Sequence, residues 1–243
     1  MNTNSLKNCQ ILTFDLFDTV LDLGTSLNPW IEAFLAPHKT TNQADSKSFW
    51  NLMRHRQRIE QYQDTLLELK HSGYLETARK AFIYTARLNH IQPTDMEIDK
   101  FMEGWENLQV FPDCFPALNQ LNESFNLVAL SNGNKWYLEY LARNQIEFDF
   151  FKIISVEEVG VFKPHPAVYR QAARMLNVDP GKIAMVSSNS FDVMGARACG
   201  LRGIFVNRHD LPFEETEKLF QPDLVVKDFI QLTQSLTHEN QNY

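Results

Sequence analysis

Four polar clusters in this chain each follow an apolar run. Asp15 comes directly after Ile11-Leu12-Thr13-Phe14, and the short loop behind it carries Phe17, Asp18 and Thr19. Ser131-Asn132-Gly133-Asn134 follows Leu127-Val128-Ala129-Leu130. Lys163 stands in Val161-Phe162-Lys163-Pro164-His165-Pro166, held among apolar neighbours and prolines, with Tyr169 one turn into the next helix. Ser187-Ser188-Asn189-Ser190-Phe191-Asp192 ends the run Ile183 to Val186 and opens a further helix. A carboxylate, a partly dried ammonium, hydroxyls, amides and a second carboxylate are reagents for nucleophilic and acid–base chemistry. Taken singly, each cluster reads as a turn or a helix start: Asp favours turns, and Asp192 complements the dipole of the helix it opens. Together, at strand ends and in this order, they point to one site. Open parallel sheets place ligands beyond the carboxyl ends of their strands.

The elements that must position these residues follow from hydrophobic spacing. After the first strand, residues from about Gly24 to Trp105 read as helices throughout. Trp30, Ile31, Phe34 and Leu35 repeat at helical spacing, and the apolar positions from Phe49 to Leu69 suggest one long amphipathic helix or two. Tyr74 to Asn89 reads as another, and Thr94-Asp95-Met96-Glu97 as the capping box of a fourth. Pro112-Asp113 marks the return to short apolar runs, which alternate with helices of about ten residues. That alternation indicates parallel βαβ units. The expected fold is α/β, a three-layer α/β/α Rossmann-like core with a parallel sheet and an inserted all-helical cap. The core takes 1–23 and 107–243, and the cap takes 24–106.

Composition narrows the function. The formal charge of −7, with no long Lys/Arg block, argues against nucleic acid. No apolar run approaches membrane-spanning length, and the polar first ten residues lack the apolar core of a signal peptide. Cys9, Cys114 and Cys199 lie far apart with no metal-like spacing, as expected for reduced thiols in a cytoplasmic protein.

With the four clusters in hand, the chain resembles the haloacid dehalogenase superfamily, and most closely its L-2-haloacid dehalogenase branch. The resemblance rests on Phe14-Asp15-Leu16-Phe17-Asp18-Thr19-Val20, Leu130-Ser131-Asn132-Gly133, Val161 to Tyr169 and Val186 to Asp192, and continues through Gly195-Ala196 and Phe205-Val206-Asn207-Arg208. It implies that Asp15 attacks C2 of a short 2-halo acid, such as haloacetate or 2-chloropropionate, forming an ester that water then hydrolyses to a 2-hydroxy acid. Lys163 keeps Asp15 in its charged form. Ser131, the loop amides and Lys163 fix the substrate carboxylate, while Asn132 and a cap arginine receive the halide beside the aromatic wall of Phe191. Asp192 is the expected base for the water, which Asn189 and Ser187 position, and Thr19 and Tyr169 support the site. A homodimer is implied by the resemblance alone.

The cap arginine is chosen from Arg54-His55-Arg56-Gln57-Arg58. The family places Gln three residues after this Arg, which selects Arg54, with Arg56 next and Arg58 a third candidate. The rest of the run reads as a solvated basic face.

Most of the superfamily are phosphatases, with a second Asp two residues after the nucleophile to protonate the leaving alkoxide. Here that position is Phe17. A halide is a far weaker base and leaves without a proton, so such a site suits carbon–halogen cleavage. Those phosphatases also hold Mg²⁺ with further carboxylates in the fourth cluster, where this chain has the uncharged Ser187, Ser188, Asn189 and Ser190 before Asp192. Asp15 and Asp192 are a thin ligand set for a hard cation, so neither metal nor other cofactor is expected. Asp18 replaces the family's usual Gly. If the loop stays extended, it points away from the face of Asp15, leaving it a turn residue. A Mg²⁺-dependent phosphatase acting on a small phosphate ester is the alternative, and a catalytically silent binding protein is the third reading.

Overall fold

The structure, a computed structural model, describes residues 5–38, 44–214 and 216–237. Eight strands and nine α-helices are formed by these residues. β1 (Ile11–Phe14) has all four residues buried, as a central strand covered on both faces requires. It pairs in parallel with β4 (Asn126–Ser131) on one side and β6 (Ile183–Ser187) on the other. β5 (Lys152–Ser155), β7 (Arg202–Val206) and β8 (Leu224–Val226) complete a parallel six-stranded sheet in the order β5-β4-β1-β6-β7-β8.

Side chains alternate across β1. Leu12 and Phe14 enter a core shared with α5 (Cys114–Leu121), α6 (Lys135–Leu141) and α9 (Phe229–Thr237). Ile11 enters a second core with α7 (Pro166–Leu176) and α8 (Ser190–Ala198) on the opposite face. These are the expected three layers. Because every strand runs the same way, the ends of β1, β4 and β6 and the loop after β5 converge on one edge.

Between β1 and β4 lie four further helices: α1 (Leu23–Leu35), α2 (Ser46–Leu66), α3 (Tyr74–Leu88) and α4 (Asp95–Met102). They share an aromatic cluster in which Phe82 stacks on Phe101 at 4.1 Å and meets Phe34 edge-on at 4.7 Å. The capping box opening α4 is formed in full by Thr94 and Glu97. Leading into and out of this helical insertion is a feature that the sequence reading lacked. β2 (Leu21–Asp22) pairs antiparallel with β3 (Gln109–Val110), a ribbon too short to show any periodicity. α6 stops at Leu141, and the chain then widens into a π turn over Ala142–Ile146, where Glu147 N–H reaches back to Ala142 O. Cys9, Cys114 and Cys199 are free thiols. Among the described residues, no helix is long and apolar enough to cross a membrane.

Candidate active site

Asp15 sits one residue beyond β1, its N–H held by Val186 O of β6 at 3.0 Å, and its side chain is almost wholly buried. Four groups engage its carboxylate. Lys163 Nζ donates to Oδ1 at 3.0 Å, with Ser131 Oγ a longer 3.5 Å away. Thr19 Oγ1 and Asn189 Nδ2 donate to Oδ2 at 3.0 and 2.9 Å. Thr19 is itself fixed by Ser188 N–H at 2.9 Å, and Asn189 N–H is fixed by Ser187 Oγ at 3.1 Å. Ser187 therefore shapes the turn that presents Asn189. These contacts orient the carboxylate at a single angle, the preorganisation a nucleophile needs.

Lys163 is 2 % exposed, and its ammonium donates to three acceptors: Asp15 Oδ1, Leu130 O at 2.9 Å and Asp192 Oδ2 at 2.7 Å. Burial disfavours the cation, but the charges of Asp15 and Asp192 outweigh it and raise its pKa above the ordinary lysine value. Asp192 also accepts from Tyr169 Oη at 2.7 Å. Burial pushes Asp192 up from the usual carboxylate range, against the pull of Lys163 and with the repulsion of Asp15. Gly195 lets α8 approach this closely, since a Cβ there would lie 2.8 Å from Tyr169 Oη and from Pro164. Two carboxylates share one ammonium. The position between them is taken by a nitrogen, and among the described residues no group of three or more His, Cys, Asp or Glu could hold a metal ion. The donor set does not fit the Mg²⁺ of the phosphatases.

The opposite wall comes from the helical insertion. Asp15, Phe17, Lys163, Asn132, Asn189, Phe191 and Asp192 from the sheet side face Arg54, Arg58, Gln61 and Tyr74 across a cavity of about 20 Å³, room for roughly one water molecule. Phe17 stacks flat on Tyr74, centroids 3.8 Å apart, and is buried. Arg54 donates to Asp18 Oδ2 at 2.7 Å, to Gln57 Oε1 at 2.6 Å and to Tyr74 Oη at 3.3 Å. Burial works against its charge, but Tyr74 and Asp18 more than offset that and raise its pKa. Arg58 donates to Asn189 Oδ1 at 2.9 Å and lies over the Phe191 ring at 5.1 Å. Asn132 donates to Gln61 Oε1 at 3.3 Å and accepts from Lys163 N–H at 2.9 Å.

A sequence profile described as haloacid dehalogenase-like hydrolase matches residues 9–200 of the chain. The chain belongs to that family. Its relatives include (S)-2-haloacid dehalogenase 4A of Burkholderia cepacia, 26 % identical over 87 % of each chain. Another is (S)-2-haloacid dehalogenase 1 of Pseudomonas sp. strain CBS-3, 28 % identical over 83 % of this chain and 86 % of that one. The crystal structure of an L-2-haloacid dehalogenase superposes with a TM-score of 0.82 at 25 % identity, covering 93 % of this chain and 97 % of that one. The fold also matches, at a TM-score of 0.78 and 23 % identity over 93 % of this chain and 97 % of that one, the Xanthobacter autotrophicus L-2-haloacid dehalogenase with chloropropionic acid covalently bound.

Within this haloacid dehalogenase-like hydrolase, Asp15, Thr19, Lys163, Tyr169, Asn189 and Asp192 form one hydrogen-bonded cluster, with Ser131, Asn132, Ser187, Phe17, Phe191 and Arg54 around it. Three expectations need correction. Asp18 does not point away from the site. Its φ of 66° puts the loop in the left-handed region, so strand alternation fails and its carboxylate meets Arg54. Arg56, ranked second, instead turns outward to Glu60 Oε1 at 2.8 Å and to the Tyr84 ring. Arg58, one helical turn beyond Arg54, shares its face and lines the cavity. Lys163 has all three protons committed, which leaves none for a substrate carboxylate. Tyr74, Gln61 and Gln57 were not singled out as lining or supporting residues. The available signal was the polar stripe Arg54, Gln57, Arg58, Gln61 at helical spacing on α2.

Proposed function

We propose that this hydrolase removes halide from short L-2-haloalkanoic acids of the haloacetate and 2-chloropropionate type. The carrying observation is Asp15 held by Lys163, Thr19 and Asn189 at the base of a small cavity, with the Phe17 ring where an ester hydrolase needs a proton donor. An Asp15 oxygen attacks C2 in line, forming the ester C–O bond as the C–X bond breaks and the halide leaves with the electron pair, inverting the carbon. Water then adds to Asp15 Cγ, and collapse of the tetrahedral intermediate restores the carboxylate and releases the 2-hydroxy acid. One water proton ends on the product hydroxyl and the other leaves with the halide as net acid. Asp192 takes the proton as the water attacks, and Asn189 and Ser187 set the water's approach.

Ser131 and the loop amides hold the substrate carboxylate, while a cap arginine with Asn132 accepts the halide beside Phe191. In this reading 24–106, which holds all of α1 but its first residue and the whole of α2–α4, acts as the cap over a core made of 1–23 and 107–243. Free Cys9, Cys114 and Cys199 support residence in the cytoplasm, and the family resemblance supports a homodimer, which light scattering would measure.

A single turnover of L-2-chloropropionate in heavy-oxygen water, with EDTA present, tests the reading. Chloride should appear without metal, and the isotope should be found in the Asp15 side chain by peptide mass analysis. An unlabelled protein, or p-nitrophenyl phosphate cleavage that depends on Mg²⁺ with no chloride release, overturns it.

A further inference from the structure

We infer that the cation receiving the departing halide is Arg58 rather than Arg54, an assignment that rests on the dehalogenase reading above. In-line displacement sends the leaving group away from Asp15. Asp15, Lys163, Asp192 and Asn189 stand on the sheet side, and the cationic groups across the cavity are Arg54 and Arg58 of α2. A halide that has lost its bond to carbon carries a full charge in a nearly dry space, so it needs a cation with donors to spare.

Arg54 is already paired with a carboxylate and has three of its five N–H donors engaged. Its charge is neutralised by Asp18 at 2.7 Å, and Nη1 is shared between Gln57 and Tyr74. Displacing Asp18 would leave its carboxylate without a partner at the cavity rim. Arg58 is placed differently. Among the described residues its one hydrogen bond goes to a neutral amide, Asn189 Oδ1, and its Nε is buried without a partner. Asp18 and Glu214 act on it only at a distance, while Arg54 repels it. The Phe191 ring beneath the guanidinium fixes its plane.

The same contact ties the two ends of the reaction together. With Nη2 of Arg58 on Asn189 Oδ1, the amide can turn only its Nδ2 toward Asp15 Oδ2. Arg58 thereby orients the group that aligns the nucleophile and keeps donors for the ion expelled. Asp18 is what occupies Arg54 and leaves the duty to the arginine one helical turn along.

The test reads anion binding without turnover. Bromide replaces gluconate at constant ionic strength, and the thermal midpoint of the full chain is followed, since an anion bound only by the folded state raises it. The wild-type midpoint should rise. Arg58→Met should weaken apparent bromide affinity by about ten- to a hundredfold, and Arg58→Lys should recover part of it. The double variant Asp18→Asn/Arg54→Gln, which keeps a residue tolerant of positive φ, should stay within about threefold of wild type. Loss of the response in the double variant, its persistence in Arg58→Met, or no response in wild type overturns the assignment. Each of these outcomes is independent of the isotope result at Asp15, so a failure here leaves the ester mechanism standing or falling on its own experiment.

Discussion

The carboxylate of Asp18, on the loop after β1, lies 2.7 Å from the guanidinium of Arg54, in the middle of α2. One ion pair thus ties the sheet to the helical insertion at the rim of the cavity. Its backbone and charge contributions can be separated. Asp18→Gly keeps the left-handed turn and removes the charge, costing about 1–3 kcal/mol as Arg54 loses its partner. Asp18→Ala does the same to the charge but strains the turn, so it should be less stable than Asp18→Gly by about 1 kcal/mol. Urea unfolding of the two variants measures the difference; equal stabilities would show that the turn relaxes.

Lys163 holds together two buried carboxylates. Lys163→Met leaves Asp15 and Asp192 facing one another with no cation, which should cost about 3–5 kcal/mol and abolish chloride release. The loss should be partly relieved at acid pH, where one of the pair takes up a proton. Melting curves across pH, beside a chloride assay, check both halves.

His71 offers a pH-dependent test of closure. Its Nε2 lies 3.0 Å from Asn132 O, which can only accept, so Nε2 carries the proton and the buried Nδ1 stays bare. Burial lowers its pKa, although the Asn132 carbonyl, Glu157 and Asp64 pull the other way. With the folded value below the unfolded one of about 6.5, the stabilisation is present above that pH. It is lost as the pH falls through the folded value. Wild type should therefore lose more stability than His71→Gln on acidification from neutrality, measured by urea midpoints. Parallel curves would refute it.

Arg56 serves as the internal control for the arginine run. Its partners are Glu60, one turn along the same helix, and the face of Tyr84. Arg56→Ala should change stability by no more than about 0.5 kcal/mol and leave chloride release at the wild-type rate. Arg58→Met should lower that rate with the fold intact. A large activity loss in Arg56→Ala would mean that α2 presents a different face to the site.

Much of this arrangement was legible because polar residues that end apolar runs are local signals. The runs Ile11 to Phe14, Leu127 to Leu130 and Ile183 to Val186 are strands, and β1 stops where Asp15 begins. What escaped depended on geometry that spacing does not report. The turn at Asp18 is set by a positive φ rather than by strand alternation. The three arginines are a different case, since the helical period was there to be read: it puts Arg54 and Arg58 on one face, where both line the cavity, and Arg56 off it. A motif-based comparison favoured Arg54 alone. Tyr74 read only as the first residue of a helix, and it is buried, yet its ring also lines the cavity against Phe17. Buried and functional are not exclusive when a wall of the cavity is also the seam between two layers.

The short ribbon of Leu21–Asp22 and Gln109–Val110 has a consequence for turnover. The chain departs for α1–α4 and comes back through neighbouring strands, so the whole helical block is tethered at a single post. A swing about that post would strain no other peptide link, and what opposes it is the set of contacts across the cavity: Asp18 with Arg54, Asn189 with Arg58, Asn132 with Gln61 and Phe17 with Tyr74.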